Sequence, residues 1–460
     1  MTEKIQQSLR DSKTARWIAL FAVSFTMLCG YYFTDVMAPI KGLLIDQLHW
    51  NSTEYGFFTG AYGWFNVFLF MLIIGGIILD KMGIRFAGML ATVLMVSGAS
   101  IKYWAVSTSS LDGVSWNILW WNYKAQVWIA GLGFAVFGVG IEVAGITVSK
   151  TIVKWFKGKE MALAMGLEMA MARIGTGLAL AVSLPIATSF KLSTPVLAGV
   201  IMLCIGLLSF FMYTFQDRKS DKEIRKNSSV DPSEKFELKD IISIITNKGW
   251  WYIAVLCVLF YSAVFPFLKY ATDLMIQKFH VSPELAGTIP ALLPFGNILL
   301  TPFFGNLYDR KGKGATIMII GSIMLICIHG LFSLPGLDQW WFAVLLVIML
   351  GIAFSMVPSA MWPSVPKIIP EKQLGTAYSL VFWVQNWGLM GMPMFIGYML
   401  DKYCIVGKTV LENGAEQTLY NYTLPMIIFA CSGIIALMFA FLLKAEDKKK
   451  GYGLEMPNIK

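Results

Sequence analysis

The sequence predicts an all-α membrane protein of twelve transmembrane helices arranged as two six-helix halves. Three observations carry this. Composition is the first: 57% of the 460 residues are hydrophobic, 14% are charged and the mean hydropathy is +0.63. That is more apolar surface than a soluble core can hide, so lipid must serve as the solvent. The second is a series of apolar runs of about 20 residues, the length that crosses about 30 Å of hydrocarbon. The third is an internal repeat. Gly76-Ile-Ile-Leu-Asp80-Lys81-Met-Gly83-Ile-Arg85 returns as Gly305-Asn-Leu-Tyr-Asp309-Arg310-Lys311-Gly312-Lys313, each time directly after a long apolar segment. A doubled bundle with a charged hairpin at the same place in each half is the layout of an alternating-access transporter, in which one half rocks against the other.

The N-terminal half, residues 1–215, reads as helices at 17–38, 55–79, 86–107, 126–149, 160–187 and 195–215. Its polar start lacks the short apolar core and small-residue cleavage site of a secretory signal, so the segment is expected to be retained. Residues 216–248 turn polar and charged, with Asp217-Arg218-Lys219-Ser220-Asp221-Lys222 and Asn227-Ser-Ser-Val-Asp231-Pro232. They read as a solvated cytoplasmic linker carrying a short surface helix. The C-terminal half, 249–460, supplies helices near 250–275, 284–307, 315–334, 341–366, 373–399 and 421–443.

Of the 37 Lys and Arg residues, 28 fall in the termini, the linker and the loops on their side, 8 fall on or near the other side, and Arg173 lies inside a helix. The positive-inside rule therefore places both termini and the linker in the cytoplasm. The +9 charge is a topological signal and an attraction to anionic lipid, and its dispersal over short loops excludes a nucleic-acid footprint. Five of the six cysteines sit in apolar segments and Cys404 stands alone, so no disulfide framework is expected. No His-Glu-x-x-His pair or phosphate-binding loop occurs, and Gly131-Leu-Gly133 sits inside an apolar helix without the third glycine of a dinucleotide turn. The sequence thus calls for no enzyme chemistry, no cofactor and no metal. His49, His280 and His329 are scattered and take no role. Asn51-Ser-Thr53 and Asn421-Tyr-Thr423 match the glycosylation sequon, a pattern short enough to arise by chance.

Charges inside the apolar runs are the candidates for function. Glu142 lies eight residues from Lys150, roughly 12 Å along a helix, and Arg173 lies 14 residues from Lys159, roughly 21 Å. Both are near mid-membrane, where a charge costs several kcal/mol and marks a partner or a wet pathway. Gly138, Gly145 and Ser149 share the Glu142 face, and Gly166, Ala170 and Gly177 share that of Arg173, which leaves room for a ligand. One opposite-charge pair in a cavity suits a zwitterion: the guanidinium takes a carboxylate and the carboxylate takes an ammonium. The competing reading is a structural ion pair between the two helices. Glu168 is a third deep charge, about 140° around the helix from Arg173, which predicts that the two do not share a face. Glu168 and, more weakly, Asp35 are candidate proton carriers, and Lys269 with Asp273 reads as an outer-end pair. Tyr62, Trp64 and Asn66 from the first half, and Tyr261, Trp362, Trp383, Gln385 and Asn386 from the second, offer aromatic walls and uncharged hydrogen bonds.

The two Gly-x-x-x-Asp-Lys/Arg-x-Gly hairpins resemble the signature loops of the major facilitator superfamily. That resemblance implies its fold, and a gating role for Asp80, Arg85, Asp309 and Arg310 in which each aspartate takes a charge from the adjoining half. Trp155-Phe-Lys-Gly158-Lys159-Glu160, Met171-Ala-Arg173-Ile-Gly175, Tyr261-Ser-Ala-Val-Phe265-Pro266-Phe267, Leu374-Gly375-Thr376-Ala377-Tyr378 and Gln385-Asn386-Trp-Gly388 are similar to the lysosomal dipeptide transporter family. It implies a dipeptide substrate held by Arg173 at its C-terminus and Glu142 at its N-terminus. That family tends to an uncharged residue where this chain has Glu168. The reading is a secondary transporter of small peptides, with the lipid bilayer as its surroundings and no accessory subunit identifiable. A proton-coupled carrier of another organic ion, such as an organic acid, and a non-transporting sensor or scaffold are the alternatives. Neither end carries an acidic dileucine sorting signal, which points to the plasma (inner) membrane of a bacterium, the lysosomal membrane applying if the chain is eukaryotic.

Overall fold

A computed structural model describes residues 12–156, 159–225, 238–370, 373–410 and 416–458. Parts of the linker at 226–237 and of the Trp155–Glu160 motif at 157–158 lie outside the described residues, as do 371–372. The first half runs α1 (Lys13–Asp35), α2 (Lys41–Leu48), α3 (Ser52–Gly60), a single 3-10 turn, α4 (Trp64–Phe68), α5 (Met71–Ser107), a hairpin of β1 (Ser115–Ile118) and β2 (Trp121–Lys124), α6 (Ala125–Phe156), α7 (Met161–Ser189) and α8 (Thr194–Arg225). The short linker helix α9 (Leu238–Ile245) follows, as the sequence predicts. The second half runs α10 (Lys248–Gln277), α11 (Pro283–Ala286), α12 (Thr288–Lys311), α13 (Gly314–Ser333), α14 (Trp340–Ile368), α15 (Leu374–Tyr403), a hairpin of β3 (Ile405–Val410) and β4 (Glu416–Tyr420), and α16 (Thr423–Lys450). Among the described residues, ten helical segments are long and apolar enough to cross a membrane. The other two expected spans are filled by α15 and by the broken stretch from α3 into α5.

The breaks have local causes. Asn51 caps α3 in a reciprocal box with Glu54, but Gly60 and Gly63 flank a turn of tighter helix, and Phe70 takes a left-handed conformation at φ 53°. The two repeat motifs each turn on a glycine at positive φ: Gly83 at 80° divides α5, and Gly312 at 66° ends α12. The two small antiparallel hairpins were not expected. They pair Ser115 with Lys124 and Ile405 with Tyr420, and Trp116, Ile118, Trp121 and Tyr123 give the first its strand-forming character.

The halves meet along α3 against α15 and α7 against α12. At the first seam the approach is close enough to demand glycine: a Cβ on Gly397 would collide with the Ser52 carbonyl and lie 3.0 Å from Gly56 Cα. At the opposite end, the chain after α16 folds back over the repeat motif of the second half. Glu455 accepts from Thr316 N and Oγ1 at 2.9 and 2.8 Å, and Asn458 donates to the Asp309 carboxylate at 2.8 Å.

Candidate functional site

A cavity of about 550 Å³ lies between the halves and extends to the end of the bundle that carries the termini and linker, where Asp80, Ser149, Gly375 and Ser379 line it. Its deeper walls include Tyr31, Tyr62, Glu142, Glu168, Arg173, Tyr261, Trp362 and Gln385. A second chamber of about 90 Å³ continues past Tyr62 and Glu142 to Asp35 and Lys269. Six of the ten expected substrate-contacting residues therefore share one space.

Glu142 accepts from Tyr62 Oη at 2.7 Å. Arg173 sits over the rings of Phe265 and Phe354, at 5.8 and 5.3 Å, a contact that steadies a guanidinium without neutralising it. No ion pair within 4 Å joins Glu142 to Arg173, so the structural-pair reading is not what this conformation holds. Trp362 donates to Tyr261 Oη at 3.0 Å and faces Phe382, building an aromatic wall opposite the charges.

Four expected contacts do not line the cavity itself. Trp64 packs on Phe57 and Trp128, away from the cavity. Two positions separate it from Tyr62, about 200° on a helix, so only one of the two can face inward. Asn66 is fully buried, donating to the Gly138 carbonyl at 3.3 Å and to Asn386 Oδ1 at 3.5 Å. Asn386 is fully buried as well, and its side chain also reaches the Glu142 carboxylate. Trp383 donates to the Val67 carbonyl at 3.1 Å and stacks near Phe70 and Trp387. These three join the halves beside the break in the second span.

Glu168 does line the cavity with Arg173, contrary to the helical-wheel expectation. The cavity-lining residues of α7, Met165, Glu168, Met169, Ala172 and Arg173, span an arc of about 140° at 100° per residue, with Glu168 and Arg173 at its edges. A cavity this wide takes in both. Asp35 is committed: it accepts from Lys269 at 2.6 Å and Thr176 at 2.9 Å while 3% exposed. Lys269 thus pairs with Asp35, and Asp273 pairs instead with Lys41 at 2.6 Å. Sequence reasoning missed Lys41, which is fully buried.

Both of those pairs cross between the halves on the side opposite the linker. Asp401 adds a third crossing there, accepting from Ser52 N at 3.1 Å and from Thr53 N and Oγ1 at 2.5 and 2.7 Å at the start of α3. At the cavity mouth the motif charges find partners within their own halves. Asp80 pairs with Lys150 at 2.6 Å, Arg85 with Asp217 and Asp221 at 3.1 and 2.7 Å, and Asp309 with Asn458. Arg310 is exposed without a partner among the described residues. Among the described residues these charges make no pairing across the halves at the mouth, which α5 and α15 line from opposite sides.

A two-half helical bundle clamped at one end and open at the other, around unpaired charges, defines a membrane transporter. The model of the Major Facilitator Superfamily matches residues 20–393 and 274–456, and the chain belongs to that superfamily. It is 26% identical to the "Lysosomal dipeptide transporter MFSD1" of Danio rerio over 96% of this chain and 89% of that one, and 26% identical to its Homo sapiens counterpart over 84% and 80%. Among solved structures it is similar to a bacterial homolog of the human lysosomal transporter Spinster in an inward-facing, unoccupied conformation, with TM-score 0.68, 15% identity and coverage of 95% and 98%. The nucleoside transporter NupG superposes with TM-score 0.64 at 15% identity, covering 93% and 98%. These structures support the fold. The chain is a multi-pass transporter, and its class works by alternating access.

Proposed function

We propose that this transporter carries dipeptides, binding the substrate carboxylate at Arg173 and its ammonium at Glu142, and that the conformation described is open to the cytoplasm. The observation that carries the reading is that Glu142 and Arg173 face one cavity without pairing to each other. A zwitterion of dipeptide length satisfies both, and each bond is charge-assisted in a setting where water competes weakly. Tyr261, Trp362 and Gln385 then meet the backbone and side chains without imposing a charge. Relatives named as dipeptide transporters agree with that substrate class.

Asp80, Arg85, Asp309 and Arg310 act as the cytoplasmic gate in this account. Their present partners are local, and closure of the mouth brings α5 and the end of α12 toward the opposite half, where the same charges exchange partners. Asp80→Asn and Asp309→Asn should then slow cycling while leaving equilibrium binding largely intact.

The test is flux of a labelled dipeptide library into proteoliposomes, with and without a pH gradient. Uptake of free dipeptides supports the reading. Uptake of organic acids but not dipeptides transfers Arg173 to an anion carrier with Glu142 as its proton site, and no flux of any compound in correctly inserted protein favours a sensor or scaffold.

A further inference from the structure

We infer that Lys102 is the counter-ion that receives Asp35 when the clamped face opens, so that Asp35 passes from Lys269 of the other half to Lys102 of its own. The inference concerns the cycle of access states and holds whatever the substrate is. Lys102, in α5, is fully buried, yet among the described residues no carboxylate lies within 4 Å of its Nζ. Its polar contact is the Phe33 carbonyl at 3.4 Å, and the rings of Phe134, Phe33 and Phe58 surround it at 4.2, 4.4 and 5.2 Å. Such rings ease the burial of an ammonium but do not replace a counter-ion. A lysine held this way inside a membrane bundle is costly and marks a function.

Among the described residues, Asp35 is the carboxylate that acts on Lys102 through space, and Lys269 is the like charge. The two lysines meet α1 at successive carbonyls: Lys102 donates to Phe33 and Lys269 to Thr34, the latter at 2.7 Å. They also share the Phe134 ring, from which Lys269 lies 5.9 Å. In this conformation Lys269 holds the Asp35 carboxylate at 2.6 Å across the halves, while Thr176 ties Asp35 to its own half at 2.9 Å. Separation at this face therefore withdraws Lys269 and leaves Asp35 behind. A carboxylate only 3% exposed is stranded by that step unless a second cation replaces the first. Lys102 travels with Asp35. Its backbone is fixed where α5 touches α6, since a Cβ on Gly133 would lie 2.7 Å from Lys102 N. Only the side chain has to swing, past Phe134, which lines the inner chamber together with Asp35. The exchange gives Lys102 a partner at the moment Asp35 loses one, and so keeps the two access states close in free energy.

The experiment measures how fast an impermeant thiol reagent, applied from the side opposite the linker, labels Thr59→Cys in reconstituted protein lacking the six native cysteines. No substrate is needed, so the outcome is independent of the dipeptide reading. Lys102→Met should slow this labelling about tenfold or more, because only the state open on that side loses a pair. Lys102→Arg, which keeps the cation, should stay within about threefold of wild type. In an Asp35→Asn background Lys102→Met should change the rate less than about twofold, since the carboxylate to be received is gone. Lys102→Gln repeats the comparison if the methionine variant is not inserted. An unchanged rate in the neutral variants would overturn the inference. The same slowing in the Asp35→Asn background would overturn it too, and make Lys102 a packing residue that acts without Asp35.

Discussion

Neutralising Asp273 should release the closed face of the bundle. Its carboxylate accepts from Lys41 at 2.6 Å, from Gln277 at 2.8 Å and from Tyr422, and Lys41 reaches it from the other half. Lys41 is fully buried and Asp273 is 5% exposed. Removing one member of such a pair costs about 3–5 kcal/mol, because the survivor stays buried without compensation. The rings of Tyr420, Tyr270 and Tyr422 lie 4.8, 5.7 and 5.9 Å from Lys41 Nζ and soften the loss, so the lower end, about 3 kcal/mol, applies in Asp273→Asn. Only the conformation that buries Lys41 bears this cost. The balance between the two access states should therefore move by about a hundredfold toward the one open on the side opposite the linker. Single cysteines at Ser149, exposed at the cavity mouth, and at Thr59, 4% exposed in the inner chamber, read the change on a background lacking the six native cysteines. An impermeant thiol reagent should label Ser149→Cys from the linker side in wild type and far more slowly in Asp273→Asn. Thr59→Cys should become reactive from the opposite side. Unchanged rates at both positions, in correctly inserted protein, would refute the claim that this pair holds the face shut.

Three further outcomes follow from the same packing. Gly397→Ala places a Cβ against the Ser52 carbonyl and should produce the same labelling shift as Asp273→Asn; no shift would mean that the α3–α15 seam spreads without opening. Asp217, fully buried, accepts from Lys154 at 2.7 Å, Arg85 at 3.1 Å and Trp155 at 3.2 Å, so Asp217→Asn leaves both half-exposed cations on Asp221 alone and, discounted for their solvent screening, should cost about 1–2 kcal/mol and lower the melting temperature in detergent by a degree or more. An unaltered melt would show that the cations find other partners. Burial pushes the Asp46 carboxyl in α2 up from 3.8 to about 6, with repulsion from Asp273 adding and attraction to Lys41 opposing. A carboxyl raised on folding favours the folded state when protonated, and that contribution is lost as pH rises from about 4 to about 6. Asp46→Asn should melt higher than wild type at pH 7 and lack that component of the pH dependence; parallel curves would contradict it.

Much of the architecture was legible because lipid leaves few options. Apolar length marks the spans, the positive glycines Gly83 and Gly312 recur at matching places, and the expense of a charge in hydrocarbon singles out Glu142, Glu168 and Arg173. What failed were inferences that assumed an unbroken helix. The turn at Gly60–Gly63 and the left-handed Phe70 rotate the second span, so Asn66 faces Asn386 across the seam while Tyr62 alone of the expected trio meets the cavity. The clamps were also out of reach. Lys41 and Asp273 stand 232 positions apart, and no spacing rule links residues on different halves. Lys269 was paired with the wrong aspartate for this reason, since Asp273 is near it in sequence and Asp35 is near it only in the fold.

The central claim is that Glu142 and Arg173 hold opposite ends of one substrate. Affinities of a dipeptide, its N-acetyl form and its C-terminal amide for wild type, Arg173→Gln and Glu142→Gln test it directly. Each substitution leaves a ligand charge unpaired in the cavity, a loss of a few kcal/mol, or about a hundredfold in affinity. Wild type should prefer the free dipeptide, Arg173→Gln should lose its discrimination against the amide, and Glu142→Gln should lose its discrimination against the acetyl compound. Equal loss of all three ligands in both variants, or wild-type indifference to N-acetylation, would contradict the account.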